Sequence, residues 1–355
     1  MKAGMLFLML LLTASCLATI RTVSNFPATL AQFNTIQGAI NASSSGDTIL
    51  VHGSPNQYTP FNLVNKKITL IGPGWAPQTS PALRAVISAT QIMIHGTGSS
   101  NSEFHGLVFT GSVNIQGGAV PSDIKFYRNE FTSSLRFDIE SGLYTGYILQ
   151  GNYFNQGTIS GSTGNDYVNW VIENNLFKAS HTQISGFANG KTINFMFNHN
   201  LFMNVPFGGV GLFSNCGGLL MANNIFVKRD ASTTSFSTFN NNITWQTANN
   251  SPWTSNNNID GGGNVVNQNP LMVDEAVVDA GTAVALDTFT IASGPANNSG
   301  SDGKDMGLFF DSVGALNWFN SRNARYPHVY LMSIANPVLG AGGTLNVTVE
   351  ARKNE

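Results

Sequence analysis

The chain has 355 residues, enough for one large domain or two ordinary ones, and 10% of them are charged, against about 25% in an average globular domain. The formal net charge of −2 argues against a strongly basic nucleic-acid-binding surface and against attraction to an acidic membrane. With 37 glycines, 24 phenylalanines and many asparagines, the composition favours a β protein with many turns.

The first 18 residues have the pattern of a signal peptide. Lys2 precedes the apolar stretch AGMLFLMLLLTA, and SCLA supplies small residues for cleavage after Ala18. The stretch is too short for a comfortable transmembrane helix, so we expect export to the cell surface or beyond it. Lipidation of Cys16 is the less favoured alternative, because the TAS before it is a poor match to a lipobox. Cys216 is then left unpaired, and we expect it to be a buried apolar residue.

The next segment, from about residue 30 to 46, predicts an N-terminal cap. FNTIQGAINASSSGDTILVHG is typical of a short amphipathic helix from about Thr35 to Ala42, followed by a Gly-Asp turn and a strand. KKITLIGPGW follows as an early coil. A helix in this position would close the open end of a solenoid.

An Asn-x-Phe motif then recurs in steps of 23, 23, 25 and 24 residues, at Asn129, Asn152, Asn175, Asn200 and Asn224, with a degenerate copy at Asn242. The positions five and three residues before each Asn, and two after it, are apolar in all five clean copies. The position two before each Asn is mostly polar and reads Tyr127, Gln150, Glu173, Asn198 and Ala222. This alternation of period two predicts short strands with one buried face.

A repeat of this length predicts strands that run in one direction, stacked about 4.8 Å apart. We therefore expect an all-β fold, a right-handed single-stranded parallel β-helix of 22–25 residues per coil, over residues 19–312. Each Asn is expected at a corner, in a left-handed backbone conformation and hydrogen-bonded to the Asn of the next coil. Residues 313–355 alternate like two strands around Gly-Ala-Gly-Gly and predict a small C-terminal β-hairpin extension.

These features resemble the pectin-lyase-like superfamily of right-handed parallel β-helices, over residues 20–310. The resemblance rests on FNTIQGAINASSSGDTILV followed by ITLIGPG, on the Asn-x-Phe coils, and on GPANNSGSDGKDMGLF. More closely, the chain is similar to secreted β-helix repeat proteins common in Bacteroidetes. The resemblance implies the fold but no single activity, since this fold carries lyases, hydrolases, esterases, adhesins and tailspikes. The motifs of polygalacturonase-like and pectate-lyase-like enzymes are missing, and FHGL at His105 is only a fragment.

Charged residues are concentrated in one coil of the repeat. In LRFDIE, Arg136, Asp138 and Glu140 alternate with apolar residues, so we expect them to project outward together and to be the catalytic residues of an enzyme. The alternative is a mutually paired, solvated surface. The expected substrate-binding residues follow the outward column and its neighbour: Lys125, Tyr127, Arg128, Gln150, Glu173 and His199. For His199 the alternative is a turn residue bonded to a neighbouring coil.

The expected function is a binding or structural role associated with a glycan or polysaccharide, by a monomer, with no nucleic-acid partner, no metal and no other cofactor. The alternative is a polysaccharide lyase or glycoside hydrolase with a non-standard site on the coil 124–144. A lyase would need an arginine to neutralise a carboxylate and a base to take the proton. Calcium at the acidic turn of Asp302 and Asp305 is a further alternative without support, because the turn lacks the spacing of an EF-hand loop.

Overall fold

A computed structural model describes residues 18–76, 83–204, 211–308 and 318, together with the backbone of residues 328–334 and 347–352. Within these residues the chain is a parallel β-solenoid with three long sheets, which confirms the predicted parallel β-helix. The predicted signal peptide up to residue 17 and the predicted boundary at residue 312 lie outside the described residues.

Sheet 1 is the largest sheet of the described part of the chain. Its strands are Ile20–Val23, Thr48–Val51, Thr69–Ile71, Glu103–His105, Lys125–Tyr127, Leu143–Thr145, Ile148–Gln150, Asp166–Glu173, Thr192–Asn198, Leu220–Ala222, Thr238–Asn240 and Ile259–Asp260. Successive coils add one strand each in parallel register, and Leu143–Thr145 pairs beside Ile148–Gln150 on the same neighbouring strand.

Sheets 2 and 3 form the other two sides of the solenoid. Sheet 2 consists of Val86–Ile87, Val108–Phe109, Glu130–Phe131, Tyr153–Asn155, Leu176–Ala179, Leu201–Asn204, Ile225–Val227 and Ile243–Trp245. Sheet 3 consists of Asn62–Val64, Ile92–His95, Val113–Gln116, Leu135–Phe137, Ile159–Gly161, Ile184–Ser185 and Phe213–Ser214. A short parallel pair joins Cys216–Gly217 to Thr234–Ser235.

The described part of the chain has few helices, and they lie around the solenoid. The predicted capping helix is confirmed as Ile36–Ala42, and Thr35 caps it by accepting the Gly38 N–H at 3.1 Å. Three residues of this helix, Ile36, Ala39 and Ile40, are buried. The remaining described helices are Glu275–Asp279 and the 3-10 turns Thr97–Ser99 and Pro252–Thr254.

Residues at equivalent positions of successive coils form columns, and these columns fill the interior. Sheet 1 stacks its inward residues in register as Phe104, Phe126, Leu149, Ile172, Phe197, Met221 and Phe239. The predicted phenylalanine column is confirmed, because Phe131, Phe154, Phe177, Phe202 and Phe226 stack with ring centroids 4.5–5.0 Å apart. Offset-stacked rings at this separation add to the stabilisation from apolar burial.

A ladder of asparagine side chains runs beside the phenylalanine column. Asn175 is fully buried; its Oδ1 accepts the Asn152 N–H at 2.8 Å and the Asn152 Nδ2 at 3.0 Å. Its own Nδ2 donates to Leu149 O at 2.8 Å and to the Asn200 Oδ1 at 3.0 Å. The same pattern joins Asn129, Asn152, Asn175, Asn200, Asn224, Asn242 and Asn264. The amide therefore ties each coil to the next.

The predicted left-handed backbone lies one residue earlier than expected. At each of these corners the residue that precedes the ladder asparagine has positive φ: Arg128 (53°), Gly151 (66°), Asn174 (54°), His199 (50°), Asn223 (57°) and Asn241 (51°). Asn175 itself is not among them. The two roles that sequence reasoning gave to one asparagine are thus divided between neighbours, the first turning the chain and the second bonding the coils.

The outward side of sheet 2 is covered by a later part of the chain. The apolar outward residues Tyr153, Leu176, Leu201, Ile225 and Ile243 form one buried cluster with residues between 272 and 308. Trp245 Nε1 donates to Asp279 Oδ1 at 2.8 Å and helps to fix this layer on the solenoid. A second apolar core therefore lies outside the coils. Farther along, His328–Ile334 and Val347–Arg352 pair as an antiparallel hairpin within the predicted C-terminal extension.

Replacing Asn175 with Ala should lower the free energy of unfolding by about 1–3 kcal/mol, because the Asn152 N–H and Leu149 O lose their partner in a buried place. Chemical denaturation measures this change. The matched control is Asn56→Ala, which removes an exposed amide. A variant at Asn175 that unfolds like the parent would contradict the ladder's role.

Candidate functional site

The outer face of sheet 1 carries two parallel columns of outward residues. The first column reads Glu103, Lys125, Ile148, Val171, Met196, Leu220 and Thr238, and the second reads His105, Tyr127, Gln150, Glu173, Asn198, Ala222 and Asn240. Each step along a column is one strand, about 4.8 Å. Both columns are therefore straight rows along the solenoid axis; the first is charged at its start and apolar from Ile148 to Leu220, and the second is mostly polar throughout.

Four side chains meet at the polar end of this face. His105 Nε2 lies 3.0 Å from Glu103 Oε2, and Lys125 Nζ lies 3.4 Å from Glu103 Oε1. The His105 ring stacks on the Tyr127 ring with centroids 4.8 Å apart. His105 is buried, whereas Glu103, Lys125 and Tyr127 are partly exposed. A carboxylate that orients a histidine beside a tyrosine and a lysine is an arrangement suited to proton transfer or to binding a hydroxyl-rich ligand.

Arg128 adds a guanidinium at the adjoining corner. Its backbone is left-handed, with φ 53°, and a Cβ placed on Gly151 would lie 3.3 Å from Arg128 Cγ, so the side chain passes over the next coil. Burial lowers the pKa of the Arg128 guanidinium, and the neighbouring Tyr127 opposes that shift. Arg128 stays a cation at neutral pH in any case.

Glu173 is the centre of a row of hydrogen bonds farther along the second column. Gln150 Nε2 donates to Glu173 Oε2 at 3.0 Å, and Asn198 Nδ2 donates to Glu173 Oε1 at 2.7 Å. Asn223 Nδ2 continues the row to Asn198 Oδ1 at 2.9 Å. Both carboxylate oxygens thus accept from side chains within the sheet. This network stabilises the face and fixes the direction of its amide groups.

His199 lies under the C-terminal segment instead of on the open face. The ring is buried; Nε2 lies 3.1 Å from Asp302 Oδ2 and Nδ1 lies 3.3 Å from Gly307 O. Asn223 Oδ1 accepts the Ser301 N–H at 2.7 Å at the same place. These contacts are those of an anchoring residue, which agrees with the alternative interpretation of His199 as a turn residue.

The acidic turn of Asp302 and Asp305 takes part in the same anchoring contacts. Partial burial raises the pKa of Asp302, but the Lys304 N–H and His199 outweigh it, and the net shift is downward. Asp305 Oδ1 accepts the Asn298 N–H at 2.8 Å. Within the described ranges no group of three or more His, Cys, Asp or Glu side chains is arranged to hold a metal ion.

Of the predicted catalytic trio, Arg136 lies on sheet 3, and Asp138 and Glu140 follow the end of its strand. Arg136 and Asp138 form a bidentate ion pair, with Nε to Oδ1 at 3.0 Å and Nη2 to Oδ2 at 3.1 Å. The strand ends at Phe137, so the regular alternation expected through Glu140 stops early, and Ile139 is only partly buried. Arg136 and Asp138 therefore neutralise each other on a partly exposed surface, which is the alternative interpretation given for them above.

The two predicted sets of site residues face different directions. Arg136 belongs to sheet 3 and Tyr127 and Gln150 to sheet 1, while the inward residues of both sheets share one core. Phe137, next to Arg136, packs inward against Tyr147, which lies between two strands of sheet 1, with ring centroids 5.0 Å apart. The structure thus brings together Lys125, Tyr127 and Arg128, and separates them from Arg136 and its ion-pair partner Asp138.

Sequence reasoning missed Glu103 and gave His105 little weight. Their coil has Leu107 at the ladder position, so it was left out of the repeat, although Phe109 keeps the register. Counting back from Leu107 as from Asn129 places Glu103 beside Lys125 and His105 beside Tyr127, as observed. The signal was therefore present in the column spacing.

Comparisons with known proteins do not assign the chain to a family. No known family profile matches the sequence, and no curated protein matches it. Among the described residues there is also no helix with the length and apolarity needed to cross a membrane.

A second titratable pair lies in the layer over sheet 2. Burial raises the pKa of Glu275 to about 7; the Met272 N–H, which donates to Oε2 at 2.7 Å, opposes the shift, and the nearby Asp279 carboxylate adds to it. Because the folded pKa lies above the unfolded value, Glu275 favours the folded state at low pH. That contribution is lost as the pH rises through about 7.

Replacing Glu275 with Gln should stabilise the protein at pH 8 by on the order of 1 kcal/mol and have little effect at pH 5, because the amide needs no ionisation beside Asp279. Thermal unfolding at the two pH values measures the difference. Asp166→Asn, which alters an ion pair on the surface, is the control and should show no comparable pH-dependent gain. An equal effect of Glu275→Gln at both pH values would refute the assignment.

Proposed function

We propose that the chain is an exported, extracellular or cell-surface β-helix that binds a glycan along the polar end of sheet 1. The observation that carries the proposal is the row of partly exposed Glu103, Lys125, Tyr127 and Gln150, held in place by the strand register. The signal-peptide pattern of residues 1–18 supports export, and the resemblance to pectin-lyase-like β-helices supports a glycan ligand.

The geometry suits a linear polymer with many hydroxyl groups. Amide, carboxylate, ammonium and phenol groups recur at the strand spacing of about 4.8 Å, so successive units of an extended chain would meet successive coils. Tyr127 offers a partly exposed ring with a polar tip, and the neighbouring side chains are already oriented by hydrogen bonds. Such prior orientation lowers the entropic cost of binding.

A second candidate function is catalysis as a polysaccharide lyase or glycoside hydrolase, with the coil 124–144 contributing Lys125, Tyr127 and Arg128, and one contact with the preceding coil favours it. The pair of His105 and Glu103, 3.0 Å apart, has the form of a base with an orienting carboxylate, and Tyr127, Lys125 and Arg128 adjoin it. In a lyase the base would take the proton from the carbon beside a uronate carboxylate while a cation neutralised that carboxylate; the electron pair would then form a double bond as the glycosidic oxygen on the next carbon left and took up a proton. The mutual pairing of Arg136 with Asp138 makes sheet 3 the less favourable place for this chemistry.

The proposal is tested by exposing the full mature chain to an array of neutral and acidic polysaccharides and then measuring affinity for any that bind. Tyr127→Ala and Lys125→Ala should each weaken binding by about tenfold, because each removes a contact from the row. Arg136→Ala, on sheet 3, is the matched control and should leave affinity unchanged.

Three results would count against a binding role at sheet 1. Affinity that falls with Arg136→Ala but not with the sheet 1 variants would move the site to sheet 3. Release of unsaturated products or new reducing ends, abolished by His105→Ala, would replace the binding role with the catalytic one. The same release abolished by Arg136→Ala or Asp138→Ala would place catalysis on sheet 3.

A further inference from the structure

The amide side chains beside Glu173 on the outer face of sheet 1 all have a fixed direction. Gln150, Glu173 and Asn198 stand in register on three neighbouring strands, and Asn223 directly follows the strand of the next coil. Gln150 and Asn198 donate to the two carboxylate oxygens of Glu173 at 3.0 and 2.7 Å. Asn223 donates in turn to Asn198 at 2.9 Å. We call these four residues the directed row.

Two groups that have a single hydrogen-bonding role set the direction of the row. A carboxylate only accepts hydrogen bonds, and a backbone N–H only donates them. At one end, Glu173 therefore turns the NH2 groups of Gln150 and Asn198 toward itself. At the other end, the Ser301 N–H donates to Asn223 Oδ1 at 2.7 Å, so Asn223 presents its NH2 to Asn198. The direction of each amide thus follows from the chemistry of its partners.

Gln150 is the member of the directed row that offers an amide oxygen to a ligand. Its Nε2 is turned toward Glu173, so its Oε1 points away from Glu173, toward the side of Tyr127 on the preceding coil. Gln150 and Glu173 are both partly exposed. Asn198, in contrast, uses Nδ2 for Glu173 and Oδ1 for Asn223. The open part of the row therefore presents oxygen atoms, from the amide of Gln150 and the carboxylate of Glu173.

Oxygen atoms on the protein select donor groups on the ligand. A sugar hydroxyl can donate to Gln150 Oε1 or to the Glu173 carboxylate, whereas a uronate carboxylate only accepts and meets a like charge there. Lys125 is already paired with Glu103 at 3.4 Å and balances little of this repulsion. Arg128 attracts one carboxylate, but a polymer that is charged on every unit brings a second one to the next coil. The row therefore favours units without a carboxylate.

We propose that Glu173 is a specificity-determining residue, which holds Gln150 as an acceptor and so selects a neutral, hydroxyl-bearing polysaccharide over a polyuronate. The inference rests on the proposed binding of a glycan at sheet 1 and names the class of that glycan. Glu173 acts in two ways, through its own negative charge and through the direction that it gives to Gln150. The direction of the row does not depend on a ligand, so it is tested separately from binding.

The substitution Glu173→Gln should affect the two neighbours of Glu173 differently. The new amide accepts through its oxygen and donates through its NH2, so it can accept from one neighbour only. Asn198 stays fixed by Asn223 and Ser301, and the new amide therefore turns its oxygen toward Asn198 and its NH2 toward Gln150. Gln150 then reverses and presents NH2 to a ligand in place of oxygen. One amide of the row should reverse, and the other should keep its direction.

Deuterium exchange of the side-chain amides, measured by NMR on the full mature chain without ligand, tests this reversal. In the parent, the NH2 groups of Gln150 and Asn198 should both exchange slowly, because each donates to the Glu173 carboxylate. In Glu173→Gln, the NH2 of Gln150 should exchange about fivefold faster, the factor that corresponds to one net hydrogen bond, while that of Asn198 stays slow. Gln150→Leu identifies the Gln150 signals. Equal acceleration of both groups, or of neither, would overturn the fixed direction.

Affinity for matched pairs of polymers tests the class of ligand. One pair is polygalacturonate and its carboxyl-reduced form; the other is the tightest neutral binder of the polysaccharide array and the same polymer with its primary hydroxyls oxidised to carboxylates. The parent should bind the neutral member about tenfold more tightly, and Glu173→Gln should bring the ratio close to one. Asp166→Asn is the matched control, because it removes a carboxylate from the same strand, beyond the left-handed Asn169, and it should leave the ratio unchanged.

The outcomes separate this inference from the proposed function. Equal affinity of the parent for both members of a pair, or a ratio that Glu173→Gln leaves unchanged, would overturn the role of Glu173 and keep glycan binding at sheet 1. Binding of no polysaccharide would overturn the proposed function and the ligand class with it, whereas the amide measurement would still decide the direction of the row. Protection of the Asn152 and Asn175 backbone amides, measured in each variant, shows that the solenoid stays folded.

Discussion

A buried amide group without a hydrogen-bond partner costs free energy, and this constraint determines how the coils of the molecule stack. Six asparagine side chains, Asn129, Asn152, Asn175, Asn200, Asn224 and Asn242, are fully buried, and each bonds the backbone and the side chain of its neighbours. A shift of one residue in any coil would leave two such amides without partners, at about 1–3 kcal/mol for each unsatisfied group. The ladder therefore fixes the register of every strand that follows it.

Because register is fixed, the outward columns are fixed as well. Tyr127 lies between His105 and Gln150 because Phe126 lies between Phe104 and Leu149 on the inner side of the same strands. The side chains at the polar end of sheet 1 thus owe their positions to the core and the ladder, and the repeat leaves their identity open. Glu173, Lys125 and Tyr127 occupy positions where the fold does not dictate the residue.

The inward-facing core of the solenoid was predictable from sequence, whereas the corners and the layer outside the coils were less so. Apolar columns and the Asn-x-Phe step determine strand direction and the buried face, since both follow from repetition. The left-handed corner was misplaced by one residue because Arg128, Gly151, Asn174 and His199 share a backbone conformation and no chemical type. The layer over sheet 2 was not foreseen, because residues 270–308 carry no period that relates Met272 or Leu308 to the coils they cover.

For the candidate site, too, some features could be predicted from the sequence and others could not. Spacing alone placed Lys125, Tyr127, Gln150 and Glu173 in correct columns, as the register confirms. It did not show that Arg136 and Asp138 face away from them, because a coil has three sides and linear distance along the chain does not identify the side. It also did not show that His199 is covered, since Asp302 and Gly307 come to it from about a hundred residues farther along the chain.

The central claim, that the asparagine ladder holds the coils in register, is tested most directly by native-state hydrogen exchange of the ladder amides. The backbone N–H groups of Asn129, Asn152, Asn175 and Asn200 each donate to the Oδ1 of the next asparagine. They should belong to the slowest class, exchanging only with the free energy of global unfolding. Exchange of these four amides at the rate of the exposed turns, while the sheet 1 amides stay protected, would contradict the account.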